Sequence, residues 1–367
     1  MMNRSFMKRR LLELDGCRGL LCWTVVAGHW LGSRLGWGNV HFSHSYISVD
    51  GFFILSGIVL TYIYKEKLLH GSKEYYKFAA HRFERLYPLH LLTFLVSIYI
   101  YFTFFEKIPF NEPFATGIYN LFLLHGMGLA NSWNWNDPSW SISVEFYASV
   151  LAFPLLLKIR NTHLLISLSV ILYGIVIGRH HNLEAATDVY FNILSSGFLK
   201  CVAGLALGIA IINCSEVTND LKRTENNSIV LILQTLAIAY VAYFIYTKDN
   251  VTSYDIITIV CFTYIFYSLI NFDTFWNTLF SNSLLVYFGK ISFAIYLTHT
   301  PLMLLLDQIN YYRSLSLQSQ TIVFLSVLII ISHFIYNWFE MPIYKNTKKI
   351  TDTFYSKKSK QLAEKRH

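Results

Sequence analysis

Ten apolar stretches, each about long enough to cross a bilayer, follow one another along this chain: 19–36, 45–64, 86–105, 139–157, 163–177, 191–212, 228–246, 254–270, 284–306 and 321–339. A hydrocarbon core about 30 Å thick is spanned by about 20 helical residues. In lipid, helices satisfy their backbone polar groups internally, which irregular chain cannot do. The pattern therefore predicts an all-α, polytopic membrane helix bundle of about ten transmembrane helices. Composition agrees: 54% of the 367 residues are hydrophobic and 14% charged, against about 25% charged in soluble domains. The fifth stretch is the shortest, and 121–129 reads as a further half-helix dipping in from the outer side.

Charge sets the orientation. If the chain starts in the cytoplasm and crosses at every stretch, 23 of its 30 lysines and arginines fall inside. They lie before the first stretch, in 65–85, at Lys158, Arg160, Lys222 and Arg223, and after Glu340, whereas Arg34, Lys107, Arg179, Lys248 and Arg313 fall outside. This bias follows the positive-inside rule and places both termini in the cytoplasm. The net charge of +8 is thus a topology signal, and nucleic acid is not an expected partner. The basic start also resembles a signal-peptide flank, with Val25 and Ala27 meeting a weak cleavage rule. Cleavage is rejected because it would leave an odd number of spans and strand the basic segment 65–85 outside. The extramembrane pieces 106–138 and after Pro342 are too short for a core of their own, so residues 1–345 read as one transmembrane domain and 346–367 as a basic cytoplasmic tail. Five scattered cysteines without a C-x-x-C pair indicate neither a disulfide framework nor a metal site. Gly204 and Gly208 are spaced to let their helix pack closely on a neighbour.

Polar residues inside the apolar stretches are the functional candidates. In LDGCRGLLCWTVVAGHW, Leu14 to Trp30, Arg18 and His29 stand eleven residues apart, hence on one helical face and roughly 16 Å apart along the axis. Asp50 and Glu145 each enter from the outer side to a depth of roughly 8 to 10 Å, a level His29 also reaches. A histidine and two carboxylates on three helices have the composition of a buried acid/base site, in which a carboxylate fixes the imidazole tautomer and supports its protonated form. Trp140, Ser141 and Ser143 add hydrogen-bonding groups just before Glu145. Plainer readings stand beside these: the two acids as helix-start residues, His29 as a donor to a neighbouring carbonyl, and Ser56-Gly57 as a close helix contact. At the inner side Arg82 and Arg85 share a face at i, i+3. With Arg18 they make a cationic mouth able to hold phosphates bidentately, or else an ordinary inner flank.

These segments together resemble the acyltransferase 3 family of integral membrane acyltransferases. LDGCRGLLCWTVVAGH is similar to its opening helix, VDGFFILSG (Val49 to Gly57) to its second-helix motif, and HRFERLYP (His81 to Pro88) to its R-x-x-R segment. WSISVEFY (Trp140 to Tyr147) resembles its W-S-x-S-x-E block, FGKISFAIYLTHTP (Phe288 to Pro301) its ninth helix, and FEMP (Phe339 to Pro342) its closing element. Gly51 and Phe146 depart from the pattern. The resemblance implies transfer of an acyl group, usually acetyl, from cytoplasmic acetyl-CoA to a hydroxyl of a surface polysaccharide or lipid-linked glycan, by a multi-pass protein of a bacterial inner (plasma) membrane. Catalytic roles are then expected for His29, Asp50 and Glu145, acyl-CoA binding for Arg18, Arg82 and Arg85, and acceptor or oxyanion contacts for Ser56, Trp140, Ser141, Ser143 and His299. The expected partners are acyl-CoA, a glycan or lipid-linked sugar and membrane lipid, with no metal. The offset between Arg18 and His29 is of the order of the reach of a pantetheine arm. The alternative is a proton-coupled transporter or exporter, whose relays use the same residue types. The absence of an evident internal repeat argues against it.

Overall fold

The computed structural model of the chain describes residues 11–37, 41–69, 72–129, 135–190, 194–217, 224–225, 228–247 and 254–364. The basic residues before position 11, together with Lys222, Arg223, Lys248, Lys365 and Arg366, lie outside the described residues. Helices dominate: α1 (Leu12–Leu35), α2 (Ile47–Leu69), α3 (Ser72–Phe104), α4 (Pro113–Leu121), α5 (Trp140–Tyr147), α6 (Phe153–Leu156), α7 (Thr162–His180), α8 (Ser196–Val217), α9 (Ser228–Tyr246), α10 (Asp255–Asn271), α11 (Phe275–Phe280), α12 (Ser283–Leu306), α13 (Asn310–Ser314), α14 (Leu317–Phe334) and α15 (Met341–Glu364). A π-helical turn at Ala148–Ala152 joins α5 to α6, and another at Ile335–Glu340 joins α14 to α15. The only strands among the described residues are two two-residue pairings. This is the polytopic helical bundle expected from the apolar stretches.

Among the described residues, eight helices are long and apolar enough to cross a membrane. Two of the ten expected crossings fall short of that measure for opposite reasons. α1 has the length, but Arg18, His29 and its glycines dilute its apolar character; α10 is apolar but has 17 residues. Packing shows that both traverse the bundle. α1 and α12 run parallel: a Cβ at Gly19 would meet the Gly289 nitrogen at 2.8 Å, Cys22 contacts the Ser292 carbonyl, and His29 meets His299. The contacts advance together along both helices. Two parallel helices in one chain need an odd number of crossings between them, and the six long apolar helices in that interval make seven only with α10.

A second parallel pair, α2 and α8, sits at the centre. Here glycine allows the backbones to touch: a Cβ at Gly204 would lie 2.6 Å from Phe53 Cβ, and one at Gly208 would lie 2.5 Å from the Gly57 backbone. Close approach of this kind is what small residues contribute between helices in lipid, where apolar burial gives no preference for protein over acyl chain. Gly208→Val is accordingly expected to destabilise the chain by about 1–3 kcal/mol or more through overpacking. A lowered melting temperature in detergent reports it; unchanged melting would mean that the α2–α8 contact is not made.

The expected half-helix at 121–129 is a broken element. α4 ends at Leu121, Leu123 takes a positive φ of 57°, and a π-helical turn follows at His125–Leu129. Ser143 fixes this loop by accepting from the Gly126 N–H while donating to the Leu123 carbonyl. At the other face α15 continues beyond the last span and lies along the inner end of α3, where Lys77 and His81 meet Asp352 at 2.8 and 3.3 Å and Thr351 bonds Glu84.

Candidate active site

A cavity of about 250 Å³ lies between α1, α2, α3, α5, α12 and α15. Its inner end is framed by Tyr64, His81 and Tyr344, its middle by Arg18, Arg82, Arg85, Ser56 and Glu145, and its upper end by Ser141 and Tyr296. The three arginines expected at the inner mouth therefore do converge, although Arg18 stands 64 and 67 residues before Arg82 and Arg85 in sequence. Phe52, Phe53, Leu60 and Phe293 supply apolar wall between the polar groups.

The arginines are not equivalent. Arg82 donates to Glu145 Oε1 at 2.6 Å and to Ser149 Oγ at 3.1 Å. Ser56 donates to the same Glu145 oxygen at 2.7 Å. Arg85 pairs with the buried carboxylate of Glu340 and lies 5.2 Å from the Phe293 ring. Burying a charge costs several kcal/mol unless it is paired, so two carboxylates hold two guanidinium groups in place. Arg18, by contrast, makes no hydrogen bond or ion pair among the described residues, though it lines the cavity within electrostatic reach of Asp15, one turn earlier on α1, and of Glu145, Arg85 and Arg82. Each paired carboxylate lies close to a π-helical turn, Glu145 three residues before one and Glu340 at the end of the other. Such local widening of a helix frequently marks functional positions.

His29 is outside this cavity, farther along the same face of α1. Its Nδ1 lies 2.8 Å from His299 Nε2, the two rings stack at 5.0 Å with 30° between planes, and Trp37 packs edge-on against it at 5.7 Å. His29 is half-buried and His299 fully buried. Just beyond, Arg34 pairs with Asp307 at 2.6 Å and rests over Trp30. The histidine pair stands one turn of α12 above Tyr296, whose hydroxyl is clamped by Ser141 Oγ at 2.8 Å and the Pro138 carbonyl at 3.1 Å. Local chain supports this arrangement. Pro301 withdraws the N–H that the Leu297 carbonyl would otherwise receive, and buried Asn136 donates to that carbonyl at 2.9 Å.

Asp50 lies elsewhere again. It is fully buried, 3.6 Å from Lys200 Nζ, and Lys200 also donates to the Leu183 carbonyl and sits 5.6 Å from the Trp140 ring. The residues grouped in the sequence by depth are thus distributed over three places: Arg18, Arg82, Arg85, Glu145, Ser56 and Ser141 at the cavity, His29 with His299 above it, and Asp50 with Lys200 and Trp140 to one side. No hydrogen bond among the described residues joins His29 to Asp50 or Glu145. Ser143 ties down the 123–126 loop. Lys200, Glu340, Tyr296 and Asn136 are the contributors that sequence reasoning missed. Their signal was present: Lys200 is a cation inside a span and Glu340 an acid at the end of one, and each requires a partner.

A multi-pass helical membrane protein whose polar interior opens between arginines at its basic face is the class that these features define. The chain belongs to the acyltransferase family whose model, described as "Acyltransferase domain", matches residues 11–337. It is 32% identical over 161 residues to "Acyltransferase MdmB" of Streptomyces mycarofaciens, covering 40% of this chain and 39% of that protein. It is 41% identical over 83 residues to "Protein 2 in picA locus" of Rhizobium radiobacter, covering 23% of this chain and 41% of that protein. The chain therefore spans about two fifths of the length of the curated relatives it matches. No solved structure matches it.

Proposed function

We propose that this protein is a membrane O-acyltransferase of a bacterial plasma membrane that moves an acetyl group from cytoplasmic acetyl-CoA to a hydroxyl of a surface polysaccharide or lipid-linked glycan. The observation that carries this reading is the unpaired Arg18 in a cavity with two further arginines, on the helix face that leads to His29. Phosphates of the donor meet Arg18 first, while Arg82 and Arg85, held by Glu145 and Glu340, supply an oriented positive wall. The acyl arm then runs up the apolar part of the cavity toward Tyr296. An acceptor approaching from the outer side reaches His29 at its exposed edge, and His29 takes the hydroxyl proton as general base. The hydroxyls of Ser56, Ser141 and Tyr296, which now donate to Glu145, the Pro138 carbonyl or one another, are the groups that turn to meet the oxyanion forming on the thioester carbonyl oxygen.

The test is donor binding and turnover by the full chain in membrane vesicles supplied with radiolabelled acetyl-CoA. Arg18→Gln is expected to raise the KM for acetyl-CoA about 10- to 100-fold, from about 1.5–3 kcal/mol for a hydrogen bond to a charged group, with a smaller change in kcat. The same substitution should leave the KM for acetyl-pantetheine, which lacks the nucleotide phosphates, nearly unchanged. Equal effects on both donors would remove Arg18 from phosphate recognition. Label that crosses the membrane without thioester cleavage would replace the transferase reading with transport.

A further inference from the structure

The hydrogen bonds around the histidine pair determine where its protons are. His299 Nδ1 lies 2.7 Å from the Tyr296 carbonyl oxygen. A carbonyl only accepts, so Nδ1 carries the hydrogen. In the neutral ring Nε2 is then a bare lone pair, and it faces His29 Nδ1 at 2.8 Å. His29 must therefore donate through Nδ1–H, which leaves His29 Nε2 as the lone pair with no hydrogen-bond partner among the described residues. One backbone carbonyl thereby sets the tautomer of both rings. Tyr296, whose carbonyl this is, also lines the upper end of the cavity.

We propose that His299 is a positioning residue for acyl transfer, fixing His29 in the Nδ1–H tautomer and sharing the positive charge that His29 acquires. This rests on the reading of His29 as the base. In the step, the O–H bond of the acceptor breaks and its proton joins His29 Nε2, while the oxygen electron pair forms the C–O bond to the thioester carbon. The tetrahedral intermediate collapses with the C–S pair leaving on sulfur, and the proton passes from His29 Nε2 to sulfur, giving the ester and CoA thiol. During the charged interval His29 Nδ1–H points at the His299 lone pair, the place that a carboxylate fills in a Ser-His-Asp triad. The other charged groups near the pair are already engaged: Arg34 with Asp307, while the Tyr296 hydroxyl goes to Ser141. No carboxylate faces either ring within hydrogen-bond distance among the described residues, so the histidine is the available support.

Two measurements test this. In vesicles of the full chain with radiolabelled acetyl-CoA, His299→Leu is expected to lower kcat by about 10²-fold while leaving the donor KM within about threefold. That loss lies below the about 10⁴-fold of the wrong tautomer in a serine protease. His299→Gln, whose side-chain oxygen can still accept from His29 Nδ1–H, should recover most of that loss and move the acidic limb of the pH–rate profile. If Leu and Gln lose activity equally, or Leu loses none, the positioning role is overturned while His29 as base survives. If His29→Ala itself retains activity, the base assignment fails. The second measurement needs no substituted His299 and no turnover: nitrogen-15 spectra of histidine-labelled protein, with the His29 signals assigned by their loss in His29→Gln. An Nδ1-protonated neutral ring is expected, and an Nε2-protonated one overturns the proposal.

Discussion

His29→Ala is expected to lower acyl transfer by about 10²–10⁴-fold, the range for loss of a general base, at unchanged abundance of the chain in the membrane. The expectation rests on where the side chain sits. His29 is half-buried, its Nδ1 is committed to His299, and its other nitrogen has no hydrogen-bond partner among the described residues. A histidine that only ties helices together inside the bundle would have both nitrogens engaged, because an unsatisfied buried polar atom costs about 1–3 kcal/mol; His29 Nε2 is not among the buried unsatisfied atoms. Removing the ring also leaves α1 and α12 joined by the Gly19–Gly289 approach and the Cys22–Ser292 contact, so folding should survive. The readout is mass spectrometry of surface glycans from cells expressing the intact chain or the variant, scored for the mass of an acetyl group. An increment with the intact chain alone supports catalysis through His29 and identifies the acceptor. An increment from both would make His29 structural.

Much of this architecture is readable from the residues because bilayer thickness and helical rise are fixed lengths. Spacing alone put Arg18 and His29 on one face; Arg18 lines the cavity, and His29 meets His299 of α12 beyond it. Length and apolarity alone also marked residues 254–270, although α10 needs the parallel packing of α1 and α12 to establish that it crosses. Partner choice was not readable. Depth estimates put His29, Asp50 and Glu145 at one level, but level says nothing about position around the bundle. The helix order there depends on α2 packing against α8 and α1 against α12, contacts between segments about 150 and 270 residues apart. A carboxylate was expected beside His29 because a carboxylate is the usual support for imidazolium. The structure places a second imidazole there and uses the carboxylates for Arg82, Arg85 and Lys200. The common cause is desolvation: Arg82, Arg85 and Lys200, drawn into the bundle, each take an anion with them, and Arg18 alone of the cavity arginines does not.

The same logic gives the largest expected effect on stability. Asp50 and Lys200 have side chains 0% and 1% exposed and stand 3.6 Å apart. Breaking such a pair by removing one partner strands the other charge in a low-dielectric interior, at a cost of about 3–5 kcal/mol. Asp50→Asn should therefore sharply lower the melting temperature or the yield of folded chain, before any question of chemistry arises. Lys200 keeps a partial substitute in the Leu183 carbonyl and the Trp140 ring, which places the effect toward the lower end of that range. The double variant Asp50→Leu, Lys200→Met replaces the ion pair by apolar volume and should recover most of the lost stability, since such replacements are often neutral or stabilising. Activity of the recovered protein then separates two roles for Asp50. Folded and active means that the pair serves packing of α2 on α8; folded and inactive means that Asp50 takes part in the reaction through a path other than contact with His29.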